Sequence, residues 1–248
     1  MIQDLHSHTY YSMDATDSPE RTVEAAIAGG IELFGICDHN SGVAFLRGDA
    51  RLAPRAFVSD TIAKREIARY FDHISLVREK YAGRIKILRG IEIATHRNKP
   101  KTALQSGADV SMFDYCMVEN LDDPTSITNG DIFAFRDRCA TESVGIAHTD
   151  MFKFIKKNDY DAYDYFRRMR DEGIFWELNV NHDSTHKWRT YAYVEEFLSD
   201  EERIAIVKEA GVRLSVGFDL HNLKDYDTDR VKEYCRRINR AGLKLAYE

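Results

Sequence analysis

Asp4-Leu5-His6-Ser7-His8-Thr9 opens the chain with two histidines two residues apart. In an extended segment side chains alternate faces, so Asp4, His6 and His8 share one face and Leu5, Ser7 and Thr9 the other. Two imidazoles at i and i+2 can chelate a metal ion from one direction, and Asp4, of the same parity, can orient one of them. Alone, such a pair is equally well two exposed or hydrogen-bonded histidines. The rest of the chain decides between these readings.

Outward from that stretch, residues 9–18 are polar and carry Asp14. Ser18-Pro19-Glu20 predicts a helix start, with Ser18 as N-cap and Pro19 at the first helical position, and Gly29-Gly30 predicts its end. The apolar run 31–37 leads into Asp38-His39-Asn40. Residues 41–57 lack a clear period and carry Arg47, Arg51, Pro54 and Arg55, the pattern of a loop beside a site, and a long helix is predicted over 59–81. A strand over 85–93 sets Glu92 between Ile91 and Ile93, where a buried carboxylate is costly unless a cation or strong donors meet it. Further strands are predicted at 113–118, running into Glu119-Asn120; at 144–147, ending in His148-Thr149-Asp150; at 174–180, with Glu177, Asn179 and Asn181 on one face; and at 212–218, delivering Asp219-Leu220-His221. Helices are expected over 130–140, 160–170, 195–210 and 229–239, with a short last strand at 243–246. Seven strands, each followed by helix or loop, argue an α/β parallel sheet. No glycine-rich phosphate loop follows the first strand, which speaks against a dinucleotide-binding fold.

With 248 residues and 44% hydrophobic content, the chain is long enough for one full core, and residues 1–248 are expected to form a single domain. A formal charge of −6 and a pI near 5.9 leave no general basic footprint, which argues against sequence-independent binding of duplex nucleic acid. Cys37, Cys116, Cys139 and Cys235 are widely spaced, without a CxxC pair, and read as reduced, buried thiols of a cytosolic protein. No apolar run approaches the ~18 residues of a membrane span.

His6, His8, Asp14, His39, Glu92, His148, Asp219 and His221 fall mostly at the C-terminal ends of predicted strands, the face where a closed barrel builds its site. A cluster of neutral imidazoles and carboxylates without a thiolate pair suits Zn²⁺, Mn²⁺ or Fe²⁺ better than Ca²⁺. His6-x-His8, Asp38-His39, Gly90-Ile91-Glu92, Ala147-His148 and Asp219-x-His221, in that order, resemble the successive motifs of the PHP (polymerase and histidinol phosphatase) phosphoesterases. The resemblance implies a distorted, TIM-like (β/α)7 barrel holding two or three divalent metal ions at its mouth. It assigns one ion to His6, His8, Glu92 and Asp219; a second to Glu92, as a bridge, with His148; and a third to Asp14, His39 and His221. Where that family usually has another histidine after the fourth strand, this chain reads Met117-Val118-Glu119-Asn120. Glu119, or more weakly Asn120, is the substitute, which would make the second site harder and less selective for zinc.

Metal ions about 3.5 to 4 Å apart can hold a hydroxide between them and neutralise phosphoryl charge during in-line attack. No activated serine or cysteine is then required; Ser7 and Thr9 face away from the histidines, and Cys37 lies in a strand body. For the general acid a metal-bound water, Asp150 and His96 stay open. Arg47, Arg97 and Arg189 are candidates for gripping phosphate through a bidentate fork, with solvated surface as the competing reading. His182 and His186 are spaced like i, i+4 ligands but lack the zinc-protease glutamate, and suit a loop over the mouth. Asp4 and Asp38 read as orienters of ligands, and the aromatic stretch 160–166 as outer-helix packing.

The expected function is hydrolysis of a small phosphate ester, foremost a phosphomonoester, with a small-molecule partner and no membrane; the oligomeric state is left open. The alternatives are a cyclic-phosphate or oligonucleotide phosphodiesterase, a metal amidohydrolase, whose mid-chain bridging lysine is here Glu92, and an inactive metal-binding barrel.

Overall fold

Each apolar run that ends in a histidine or an acid becomes a strand of one parallel sheet, and the amphipathic segments between them pack outside it. A computed structural model of the chain describes residues 1–43, 60–96, 109–139, 141–181 and 191–248. Within them the strands are β1 (Gln3–Asp4), β2 (Leu33–His39), β3 (Lys86–Ala94), β4 (Tyr115–Glu119), β5 (Val144–Ile146), β6 (Ile174–Asn179), β7 (Arg213–Gly217) and β8 (Lys244–Leu245), neighbours in sequence being neighbours in space.

The sheet curls until its first strand meets its seventh. Leu5 N–H donates to the Val216 carbonyl at 2.9 Å, Asp219 N–H to His6 at 2.7 Å and His8 N–H to Leu220 at 2.8 Å, with a parallel bridge between Ser7 and Leu220. The result is a distorted (β/α) barrel of seven principal strands, and β8 adds a short pairing to β7 at Arg213 and Leu214. Regular strand geometry covers only Gln3 and Asp4 of the opening stretch. The histidine pair lies just beyond it, in the extended segment that makes the closure.

The helices are α1 (Pro19–Ala28), α2 (Asn40–Val43), α3 (Asp60–Lys80), α4 (Ile132–Cys139), α5 (Met151–Lys157), α6 (Ala162–Asp171), α7 (Ala192–Leu198), α8 (Glu201–Ala210) and α9 (Thr228–Arg240). Ser18 caps α1 through the Arg21 N–H as expected. The single helix expected over 195–210 is instead α7 and α8, because Asp200 turns its carboxylate onto the N–H groups of Glu202 and Arg203 and starts a new helix. Gly211 ends α8 at φ +75°, a conformation that favours glycine. The helix α5 was not anticipated; Asp150 caps it by accepting from Lys153 N–H. Tyr165, Phe166 and Met169 of α6 are buried against the sheet, the outer packing expected of that aromatic stretch.

Two apolar layers follow from strand parity. Phe34, Ile36, Ile91, Val118, Trp176 and Val216 face the helices. Leu33, Cys37, Leu88, Tyr115, Met117 and Phe175 share their strands' parity with His39, Glu92, Glu119 and Glu177, and so fill the barrel beneath them. Tyr115 reaches across this floor to hydrogen-bond the Leu5 carbonyl at 2.5 Å. The polar constellation thus sits on an apolar plug, at the C-terminal mouth of the strands.

Candidate metal centre

Cross-strand register sets the first pair of site residues: His39 of β2 stands opposite Glu92 of β3, and Glu119 of β4 stands one step further up, opposite Ala94. The β1–β7 closure brings in His6, His8, Asp219 and His221, and the end of β5 brings in His148. All nine residues expected to ligate metal, from His6 to His221, converge on this mouth. His6 Nε2 lies 3.3 Å from Glu92 Oε1, and His8 Nε2 lies 3.0 Å from Asp219 Oδ1. His148 Nε2 is 3.3 Å from Glu92 Oε1 and 3.9 Å from Glu119 Oε2. His39 faces two ways, with Nδ1 at 2.7 Å from Glu92 Oε2 and 3.7 Å from Glu119 Oε1, and Nε2 at 3.5 Å from Asp14. His221 Nε2 is 3.6 Å from the other Asp14 oxygen. Asp14 is at the exposed rim; His6, His8, Glu92, Glu119, Asp219 and His221 are buried.

Three of the rings have Nδ1 already engaged. His6 Nδ1 lies 2.8 Å from Glu177 Oε1, His8 Nδ1 lies 3.0 Å from the Ser12 hydroxyl and His221 Nδ1 lies 2.8 Å from the Asp219 carbonyl. Ser12 in turn donates to Asp38 at 2.7 Å, and Asp38 also accepts from Thr9. Acceptors on Nδ1 fix the proton there and turn the Nε2 lone pair toward the cluster, the arrangement of a metal-binding histidine. Asp38 therefore acts on His8 through Ser12. Asp4 departs from the expectation: its carboxylate accepts from the backbone N–H of Phe218 and His6 and from the Tyr226 hydroxyl, tying β1 to β7 rather than orienting a ring.

These residues fit a divalent cation. Around a tetrahedral zinc with Zn–N bonds of about 2.0–2.1 Å, ligand atoms lie roughly 3.3–3.4 Å apart. Here His6 Nε2 and His8 Nε2 are separated by 3.1 Å, and their distances to Glu92 and Asp219 oxygens run from 3.0 to 3.6 Å. Neither Glu92 oxygen receives a well-aligned hydrogen bond among the described residues, although desolvating such a carboxylate costs several kcal/mol. Burial, together with the His221 and His39 rings, pushes His8 down to about 3. It is therefore a neutral imidazole across the physiological range. Burial opposes a charged His6, but Glu177, Glu92 and Asp219 outweigh it and hold the ring above its ordinary value. The cluster demands positive charge at its centre. His148 and Asp219 also sit at φ +27° and +55°, left-handed backbone that residues with a Cβ rarely adopt.

Other candidates have partners outside the cluster. Asp150 is taken up by the α5 cap, and His96 lies 3.5 Å from Asp123. Glu119 faces His39 at 3.7 Å, and Asn120, the next residue, sits in left-handed backbone at φ +63°. Arg47, Arg97, Arg189, His182 and His186 lie outside the described residues. Two participants escaped sequence reasoning. Ser12 carries no local signal, and Tyr191, whose hydroxyl lies 3.4 Å from Asp219 Oδ2, stands outside any strand-end motif.

Residues 4–181 match the family model of the PHP domain. No curated protein matches the chain significantly. Among solved structures, the histidinol phosphate phosphatase of Lactococcus lactis, complexed with zinc, L-histidinol and phosphate, aligns over 98% of this chain and 95% of its own, with a TM-score of 0.61 and 17% identity. A structure from Listeria monocytogenes, provisionally assigned as a histidinol phosphatase, aligns over 90% of this chain and 96% of its own, with a TM-score of 0.51 and 16% identity. At these identities the likeness establishes a shared fold.

Proposed function

The chain belongs to the PHP domain family, and from that premise we propose that it is a metal-dependent hydrolase of a small phosphomonoester. The observation that carries the reading is the quartet of His6 Nε2, His8 Nε2, a Glu92 carboxylate and Asp219 Oδ1 within 3.0 to 3.6 Å of one another across the edges given above. His6, His8, Glu92 and Asp219 would hold one ion; Glu92, Glu119 and His148 a second; and Asp14, His39 and His221 a third. Zn²⁺, Mn²⁺ and Fe²⁺ all suit this donor set, and Glu119 makes the second group richer in oxygen than a histidine would. When bound, such ions lower the pKa of water and neutralise charge on phosphoryl oxygens.

The chain's own side chains support attack by water rather than by a protein nucleophile. Ser7 Oγ donates to the Gly35 carbonyl and Thr9 Oγ1 to Asp38, so both hydroxyls are engaged away from the mouth. Cys37 is buried in the floor, and burial pushes its thiol well above the ordinary range. Ser12 and Asp38 hold the His8 ring, and Tyr191 holds Asp219. The Lactococcus lactis complex makes an amino-alcohol phosphate the leading substrate class. Arg47, Arg97 and Arg189 are the proposed phosphate contacts.

The test is a phosphate-release assay with added Mn²⁺ or Zn²⁺ on an aryl phosphomonoester and on L-histidinol phosphate. Turnover that disappears in His6→Ala supports the proposal. Preference for a bis-aryl phosphate would replace it with a diesterase, and metal retention without turnover of any phosphate ester would refute it.

A further inference from the structure

Glu177 lies on β6, the strand that contributes none of the proposed metal ligands. Its carboxylate nevertheless touches ligands from two other strands. Oε1 lies 2.8 Å from His6 Nδ1, and Oε2 accepts the backbone N–H of His148 at 2.6 Å. The side chain is fully buried. It reaches His6 only because position 217 on β7 is glycine; a Cβ there would overlap the Glu177 carboxylate and stand 2.7 Å from His6 Cβ.

We infer that Glu177 is a positioning residue whose two oxygens, each accepting a hydrogen bond, set the tautomer of His6 and the backbone of His148 together, coupling the first and second metal groups. The inference rests on the metal reading given above. Its logic is a donor count. His6 must carry its proton on Nδ1 if Nε2 is to offer a lone pair toward His8 and Glu92, and the His148 N–H, held at φ +27°, needs an acceptor of its own. Both neighbours are donors, so the bridging group must accept twice.

A glutamine of the same shape offers an acceptor at only one of the two oxygen positions, with an NH2 at the other. If its oxygen meets His6, its NH2 confronts the His148 N–H, donor against donor. If it flips, its NH2 faces His6 Nδ1 and drives the ring proton to Nε2, into the space between His8 and Glu92. In the first orientation the second group loosens, and in the other the first group is lost.

The same face of β6 extends the scaffold to β7. Asn179 Nδ2 donates to Glu177 Oε2 at 3.4 Å, Asn179 Oδ1 accepts from Asn181 N–H at 3.0 Å, and Asn181 Nδ2 donates to the Asp219 carbonyl at 2.9 Å. Asp219 and His148, the two ligands with left-handed backbone, are thus both held by residues of this face.

The experiment compares full-length wild type and Glu177→Gln, at a temperature where both are folded, by Co²⁺ titration followed in the visible spectrum. Wild type is also loaded with Zn²⁺ and its histidine ¹⁵N resonances recorded. The expected results are a fall of roughly 10–100-fold in Co²⁺ affinity for the variant and a His6 proton on Nδ1 in wild type. Equal affinity in a variant that merely melts lower would show a structural role only and overturn the inference. A wild-type His6 protonated on Nε2 would overturn it even if the variant does not fold. Failure of wild type itself to bind Co²⁺ or Zn²⁺ would remove the metal reading and the inference with it, a result distinct from equal binding by both proteins.

Discussion

The Nε2 atoms of His6 and His8 face each other at 3.1 Å while the Nδ1 atoms of both rings are engaged by Glu177 and Ser12. Two lone pairs at that separation repel unless a proton or a cation lies between them. A bound divalent ion therefore stabilises the fold by mass action, by about 2.7 kcal/mol at one hundred times its dissociation constant. For a chain of this length that raises the melting temperature by roughly 5–10 °C. Scanning calorimetry with and without a chelator checks it, and His6→Ala should abolish most of the metal response. A melting temperature indifferent to both Mn²⁺ and Zn²⁺ would contradict the centre described here.

Ser12 offers a second, smaller lever. Its hydroxyl meets His8 Nδ1, accepts the His39 backbone N–H at 3.0 Å and donates to Asp38. Ser12→Ala leaves two buried donors without that acceptor, which costs about 1–3 kcal/mol of stability. It also frees the His8 ring to turn, so metal affinity should fall by about 10-fold, the lower end of the range for such partners. Equilibrium dialysis against Zn²⁺, with urea unfolding alongside, measures both. Unchanged affinity would mean that packing alone orients His8.

Much of this centre was legible before any coordinates. A strand that ends in Asp-His, Gly-Ile-Glu or Asp-x-His presents polar atoms where apolar alternation stops, and parallel strands bring such ends to one face. What parity could not reveal is which carboxylate serves which partner. Glu92 and Glu177 are both inward-facing acids flanked by apolar residues. Only the reach across the barrel shows that one oxygen of Glu177 is taken by the His6 ring and the other by a backbone N–H, while the oxygens of Glu92 face the rings of His6, His8 and His39 at once. Asp150 was ambiguous for a related reason, since a strand-end acid is equally a helix N-cap. Asp4 has the parity of a ligand orienter, but the barrel closure needs its carboxylate for backbone N–H groups that the sequence does not display as orphans.

At the opposite end of the barrel, Asp114 gives a pH dependence independent of metal. Arg89 grips it with distances of 2.8 and 3.1 Å, its own backbone N–H adds a third bond at 2.8 Å, and Arg78 stands at 3.3 Å. Burial raises the carboxyl, but these partners outweigh it and hold Asp114 below its ordinary 3.8. A folded-state value lower than the unfolded one gives stability that is complete above about pH 4–5 and is lost as pH falls through the folded value. Asp114→Asn should therefore cost about 1–3 kcal/mol at pH 7 and much less at pH 3. Urea unfolding of both proteins at the two pH values decides it; an identical difference at both would show that the charge of Asp114 contributes nothing.

Gly217→Ala tests whether the centre is built around the space that Glu177 occupies. The residue is not in left-handed backbone, so alanine meets no conformational penalty there; the obstacle is steric, with the new methyl group overlapping the Glu177 carboxylate and crowding His6 Cβ. Both neighbours lie on rigid, buried segments, and overpacking of that kind costs about 1–3 kcal/mol. The displaced carboxylate would also release His6 Nδ1 and the His148 N–H at once. Metal affinity should then fall at least as far as in Glu177→Gln, and a double variant carrying both changes should bind scarcely more weakly than either alone, because the two act on one hydrogen-bonded unit. Fully additive losses in Co²⁺ titration would mean that Gly217 and Glu177 influence the metal groups separately, and that the close approach between β6 and β7 is incidental to them.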